Sequence, residues 1–253
     1  MKKKPNPASD VPVGNCSLDH AKSDAVMSDT MPIGIKPYYD EAGITIYHGD
    51  CLDILPLLPP VDCVVTDPPY GIEGGKGGTS KARGKGNYSS DFPDTPEYIK
   101  NVVVKALFEI AKWRTLAVTP GCKNISLYPP ADSFGAFVYP ASSGMQRFGM
   151  ADCNPILFYG WHYLQGKKPL PCCKITNESP EKNGHPCPKP TQAWAWLVDK
   201  VATKDMTVLD PFMGSGTTLR VCKDRGIRAV GIEMNERYCE IAVRRLAQEV
   251  LPL

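Results

Sequence analysis

Asp67, Pro68, Pro69 and Tyr70 close the segment VDCVVTDPPYG, residues 61–71. The apolar run before them predicts a strand buried on both faces. At the carboxyl end of a parallel strand, side chains face the crevice where α/β proteins bind ligands. Asp67 stands there as an acceptor. The two prolines fix the backbone and offer carbonyls with no competing amide donors, and Tyr70 offers a flat face. Together these groups suit a planar molecule bearing an amino NH2. Two acceptors take its two protons and align the nitrogen lone pair toward an electrophile, while the ring clamps the plane.

A second constellation is LDPFMGSGTT, residues 209–218. Gly214 and Gly216 permit a tight turn between strand and helix and close approach of a ligand to the backbone. Glu233 ends the next strand, where a carboxylate can accept both hydroxyls of a ribose. Leu219 stands where a dinucleotide fingerprint wants a third glycine. The helix opens with Thr217 and Thr218 and no lysine, which excludes a phosphate-cradling loop. The pattern points to a nucleoside cofactor without a pyrophosphate; a glycine-rich turn that binds nothing is the alternative.

Directly after Tyr70 comes a glycine-rich stretch, residues 71–90, with Lys76, Lys81, Arg83 and Lys85 against the single acid Glu73. Its place beside the first constellation suggests a mobile lid or phosphate contact over a polyanion, against the alternative of a solvated loop. Lys167 and Lys168, with His162 and Lys174, lie in a short segment, residues 161–184, that could also touch nucleic acid. Among ten cysteines, Cys51, Cys63, Cys222 and Cys239 have apolar neighbours and read as buried reduced thiols. Cys172, Cys173, His185 and Cys187 match no zinc spacing well, so no metal is expected.

These groups need a scaffold. With 253 residues, 42% hydrophobic and 22% charged, the chain suits one sizeable α/β domain, residues 37–253, behind a polar tail at residues 1–36. A net charge of +2 neither demands nor excludes nucleic acid. No run is long and apolar enough for a membrane span, and the basic start precedes no apolar segment, so the expected location is cytoplasmic. Strands are expected at ITIYHGD (from Ile44), VDCVVTD, RTLAVTPG, AFVYP, NPILFYG, DMTVLD and IRAVGIEMN. Helices are expected at CLDILPLLP, TPEYIKNVVVKALFEIAKW, PTQAWAWLVDKVA, the stretch after Gly216, and ERYCEIAVRRLAQEV, with cations late in the last where they suit the dipole. Residues 161–190 show almost no periodicity. Alternating strands and helices give an α/β fold with a largely parallel sheet.

The motifs TDPPYG, DPFMGSGTT, GIEMNERYCEIAVRRL, YHGD and HPCPKP together resemble the S-adenosylmethionine-dependent amino-methyltransferases of DNA, over about residues 44–250. The Asp-Pro-Pro-Tyr motif precedes the glycine-rich one, as in the β-group. The resemblance implies a Rossmann-like methyltransferase fold with circularly permuted motif order, a mostly parallel twisted sheet and helices on both faces. It implies S-adenosylmethionine as cofactor and double-stranded DNA as partner, with a homodimer plausible and a restriction-modification setting. Asp67 and the Pro68 carbonyl would hold the target amine, with Pro69 stiffening the edge and Tyr70 stacking on a flipped base. Asp210, Phe212, Gly214, Gly216 and Thr217 would line the cofactor, Glu233 would hold its ribose and Asp50 would sit near its adenine. His185 and Pro186 would contact its methionine end, although Cys187 and Pro188 replace the usual Thr and Gln.

Asp67 in place of a serine tilts the target toward adenine, with cytosine as runner-up. RNA or a small aromatic amine would use the same chemistry. The competing class is a methyltransferase-like subunit that binds nucleic acid without catalysis, but Asp67, Tyr70 and the glycines are all present. No cysteine nucleophile is needed, because the methyl group is already activated on a sulfonium.

Overall fold

The computed structural model describes residues 34–70, 95–140, 145–146, 149–150, 152–161, 171–179, 181 and 189–248. Eleven strands are found among them: β1 Tyr39–Glu41, β2 Ile44–His48, β3 Val61–Thr66, β4 Trp113–Val118, β5 Ser133–Val138, β6 Met145–Gln146, β7 Gly149–Met150, β8 Cys153–Gly160, β9 Cys173–Ile175, β10 Thr207–Asp210 and β11 Arg228–Glu233. Nine form one sheet in the order β1-β2-β11-β10-β3-β4-β8-β5-β9, and β6 and β7 pair separately. From β2 to β4 every pairing is parallel; β1 pairs antiparallel with β2, and β8 pairs antiparallel with both β4 and β5.

The parallel strands alternate their residues between two apolar layers. Ile44, Ile46, Cys63, Val65 and Ala117 pack on one face, against Trp194 and Leu197 of α3 (Thr191–Val201), Leu219 and Cys222 of α4 (Thr217–Arg225), and Cys239 and Ala242 of α5 (Glu236–Ala247). Tyr47, Val64, Leu116 and Val118 pack on the other. There they meet the short α1 (Cys51–Ile54) and a helix that starts as Pro96–Tyr98 and continues as wide π-type turns, Ile99–Val104 and Ala106–Ile110. Both faces of the central strands are dry, which accounts for their near-continuous apolar sequences. The fold is Rossmann-like, with helices on both faces of a mostly parallel sheet.

Strands β3 and β10 lie side by side in the middle of the sheet. From β3 the chain crosses to β4 on one side, and from β10 to β11 on the other. The strand order therefore reverses between them, and a crevice opens at their carboxyl ends. The Asp67 motif and the glycine-rich turn both sit at this switch point.

Three features depart from the sequence expectations. The ordered part begins before Ile44, because β1 folds back on β2 through a turn at Ala42 and Gly43. The aperiodic region 161–190 contains β9, a three-residue edge strand joined to β5 by backbone hydrogen bonds, which leave no side-chain pattern. The helix expected from Thr95 is capped by that residue as anticipated, but passes through three consecutive valines (102–104) in π-type turns. Such β-branched residues are poor formers of regular α-helix.

Candidate active site

Asp67 is held from three directions. Its Oδ1 accepts hydrogen bonds from the Tyr70 and Thr119 hydroxyls, and its Oδ2 forms an ion pair with Lys189. Two hydroxyls fill the acceptor positions of Oδ1, so any further donor must use Oδ2. Asp67 remains part-exposed, as an acceptor for a ligand must.

Tyr70 is set by a second ring of contacts. Asn124 Nδ2 donates to its carbonyl, and Asn154 Nδ2 donates to its hydroxyl at 3.0 Å. Gly121 lies against the ring in a left-handed conformation (φ 70°); a Cβ there would come within 3.0 Å of Tyr70 Cγ. The Lys189 ammonium lies 5.5 Å from the ring centroid. Burial first, and then the Asp67 charge, hold the Tyr70 phenol well above its ordinary value. It therefore stays neutral and donates to Asp67.

The glycine-rich turn is supported from inside. Asp210 ends β10 fully buried. It accepts hydrogen bonds from Thr66 Oγ1 at 2.7 Å, from the Phe212 amide at 3.2 Å and from Thr218 Oγ1. Trp194 Nε1 in turn donates to Thr218 at 2.8 Å. Burial pushes the Asp210 carboxyl up to about 6 against these hydrogen bonds. From the far side, the buried Arg245 of α5 donates to the Ser215 carbonyl at 2.8 Å and to Thr217 Oγ1 at 3.0 Å, and pairs with Glu181. Gly216 has φ 74°, and a Cβ on it would come within 2.7 Å of Ala242 Cβ. Its missing side chain thus serves the packing of α5, whereas the sequence suggested room for a ligand.

Glu233 faces this turn from the end of β11. Its Oε2 accepts from the Gly214 amide at 2.9 Å and its Oε1 from the Asn235 amide at 2.8 Å. A carboxylate at this place is a match for two neighbouring hydroxyls. Burial raises the carboxyl to about 7. Asp50 is close by, since Gly49 donates its amide to the Glu233 carbonyl. Its side chain caps α1 by accepting from the Leu52 amide at 2.8 Å.

The structure thus gathers Asp67, Pro68, Pro69 and Tyr70 on one lip of the crevice, with Phe212, Gly214, Gly216, Thr217, Glu233 and Asp50 toward the other. The carboxylate of Asp210 and the hydroxyl of Thr217 are turned into internal bonds that shape the turn from below. His185 and Pro186, and the basic residues Lys76, Lys81, Arg83, Lys85, Lys167 and Lys168, lie outside the described residues. Among the described residues, no three His, Cys, Asp or Glu side chains group as metal ligands, and no helix is long and apolar enough to cross a membrane.

A family model described as DNA methylase matches residues 112–244, more than half of the chain. The chain belongs to this DNA methylase family. Its members are amino-methyltransferases, and S-adenosylmethionine is the methyl donor. The chain is 26% identical to the type II methyltransferase M.ScaI of Streptomyces caespitosus, over 86% of each chain. Its fold is similar to that of the crystal structure of the M1.HpyAVI–SAM complex, with TM-score 0.59 and 21% identity over 81% of this chain and 100% of that one. It is also similar to the cytosine-N4-specific PvuII DNA methyltransferase, with TM-score 0.62 and 15% identity over 87% of this chain and 92% of that one.

The matched stretch starts after Asp67 and Tyr70 but contains Thr119, Asn124, Asn154 and Lys189, the residues that hold them. Sequence reading missed Thr119, Asn124, Lys189 and Arg245. Lys189 stood within the HPCPKP motif, and Arg245 among the late cations of α5, where only the dipole seemed to need it. Nothing in the sequence around Thr119 or Asn124 pointed to Asp67.

Proposed function

We propose that the protein methylates the exocyclic amine of a base flipped out of double-stranded DNA, with adenine as the target. The observation that carries this reading is the state of Asp67: one carboxylate oxygen is filled by protein hydroxyls, and the other is turned to an ammonium at the mouth of the crevice. Oδ2 and the Pro68 carbonyl are the two acceptors for the amine protons. Thr119 and Tyr70 keep the carboxylate from rotating, and the Tyr70 ring forms one wall for the base.

The residues across the crevice suit the cofactor. Glu233 fits a ribose diol, and the backbone of 212–217 passes beside it. S-adenosylmethionine supplies an electrophilic methyl group on a sulfonium. The protein supplies alignment, which can be worth several kcal/mol when attacking and leaving atoms are held in line. An aromatic amine is a poor nucleophile because its lone pair is delocalised. Acceptors on both its protons draw the nitrogen toward tetrahedral geometry and offset the charge that develops there. The basic stretch 71–90 follows Tyr70 in the chain and would reach the phosphates beside the flipped base. The likeness to type II methyltransferases favours a modification enzyme of a restriction-modification kind, working in the cytoplasm.

Transfer of labelled methyl groups to random-sequence DNA and RNA, followed by nucleoside mass analysis, tests this. N6-methyladenine in DNA is the expected product. N4-methylcytosine would move the proposal to the second base, and label confined to RNA would overturn it.

A further inference from the structure

Two thiols sit on the two arms that hold Tyr70. Cys122 follows Gly121, which carries the ring, and stands two residues before Asn124, which binds the Tyr70 carbonyl. Cys153 opens β8 immediately before Asn154, which binds the Tyr70 hydroxyl. Both residues are exposed, and neither is in a disulfide. Cys122 Sγ donates to the Cys153 carbonyl at 3.6 Å, which brings the side chain of one cysteine onto the backbone of the other. The four buried cysteines, Cys51, Cys63, Cys222 and Cys239, lie in the packed layers beneath the sheet, away from solvent oxidants.

We propose that Cys122 and Cys153 form a reversible redox pair whose disulfide deforms the Tyr70 seat and slows methyl transfer. The inference rests on the catalytic reading of Tyr70 for its effect on rate, but not for the bond itself. With hydrogen peroxide as oxidant, the thiolate of one cysteine attacks the O–O bond and becomes a sulfenic acid, releasing one water. The second thiolate displaces the sulfenic oxygen as a second water and closes the S–S bond. Two thiols lose two protons and two electrons, and one peroxide becomes two waters. Both thiols are exposed, so either can make the first attack and the other resolves it.

Closing a bond of about 2.05 Å between the two sulfurs draws the loop after β4 toward β8. Gly121 and Asn154 are each one residue from a bridged cysteine and move with it. A displacement of about 1 Å at a reacting group can cost about 10²-fold in rate.

The test treats the full chain with hydrogen peroxide, with and without later dithiothreitol, and reads both disulfide-linked peptides by mass spectrometry and methyl transfer to DNA. A Cys122–Cys153 linkage is expected, with transfer reduced tenfold or more and restored by dithiothreitol. Cys122→Ser and Cys153→Ser should each lose the linkage and keep their rate through the treatment. A linkage from Cys153 to Cys173 instead, no linkage, or equal inactivation of the Cys153→Ser variant would overturn the proposal. If untreated protein fails to methylate DNA, the functional reading fails while the peptide map still decides the redox pair.

Discussion

The two lips of the crevice are built differently. On the β10 side, the glycine-rich turn is tied down by buried bonds: Trp194 to Thr218 to Asp210, Thr66 to Asp210, and Arg245 to Ser215 and Thr217. On the β3 side, Asp67 and Tyr70 are held by side chains from the loop after β4, from the start of β8 and from the segment before α3, and both remain part-exposed. A cofactor that reuses one site turnover after turnover gains from a preorganised seat. A base that must swing in from a duplex needs a seat whose contacts can exchange. Lys189 shows this most clearly, since its ammonium now takes the Asp67 oxygen that the proposed mechanism assigns to the target amine.

If the lips divide the labour in this way, substitutions should split into two classes. The largest effect is expected at Asp67. Asp67→Asn should lower single-turnover methyl transfer by about 10³-fold or more, measured with saturating cofactor and DNA. A loss below tenfold would remove Asp67 from the chemistry.

Next comes Gly216→Ala. It forces a left-handed conformation on a residue with a Cβ and pushes that carbon into Ala242. The expected cost is about 2–4 kcal/mol, read as a lower unfolding temperature together with weaker cofactor binding. Unchanged stability would mean that α5 does not pack on the turn as described.

Glu233 gives an intermediate and pH-dependent effect. Its folded value, about 7, lies above the ordinary 4.5. The stability contributed by the protonated carboxyl is therefore fully present below pH 4.5 and lost as pH rises through 7. Cofactor binding runs the other way, because the ribose hydroxyls need the ionised acceptor. Between pH 8 and pH 6 the ligand-free protein should gain unfolding temperature while cofactor affinity falls several-fold. Glu233→Gln should flatten both slopes, as calorimetry at the two pH values would show. Asp210, at about 6, adds a stability term of the same sign at lower pH.

The smallest effect is expected at Asn154. Removing its hydrogen bond to the Tyr70 hydroxyl should cost about 1 kcal/mol, seen as a few-fold slower transfer with unchanged cofactor affinity. A change in cofactor affinity instead would blur the line between the lips.

Much of this division was legible in the sequence. The two motifs, their order and Glu233 mark the carboxyl ends of β3, β10 and β11, because strand ends and glycine turns leave local signatures. The continuous apolar run of β3, which feeds both layers, was equally readable. The internal bonds of Asp210 were not legible, since a carboxylate beside a glycine turn looks the same in sequence whether it faces a ligand or the interior. Its true place depends on Thr66, 144 residues away in the chain. Thr119, Asn154 and Lys189 converge on Asp67 and Tyr70 from separate parts of the chain, and such convergence has no period. Edge strand β9 was hidden for a related reason, since its pairing with β5 is purely a matter of backbone.

The central claim is that one lip binds cofactor and the other performs transfer. Titration calorimetry of S-adenosylmethionine into Asp67→Ala and Glu233→Ala, side by side with wild type, tests it most directly. The account predicts near-native affinity in Asp67→Ala, which transfers no methyl group, and a loss of tenfold or more in Glu233→Ala. Equal loss of binding in both variants, or none in Glu233→Ala, would contradict it.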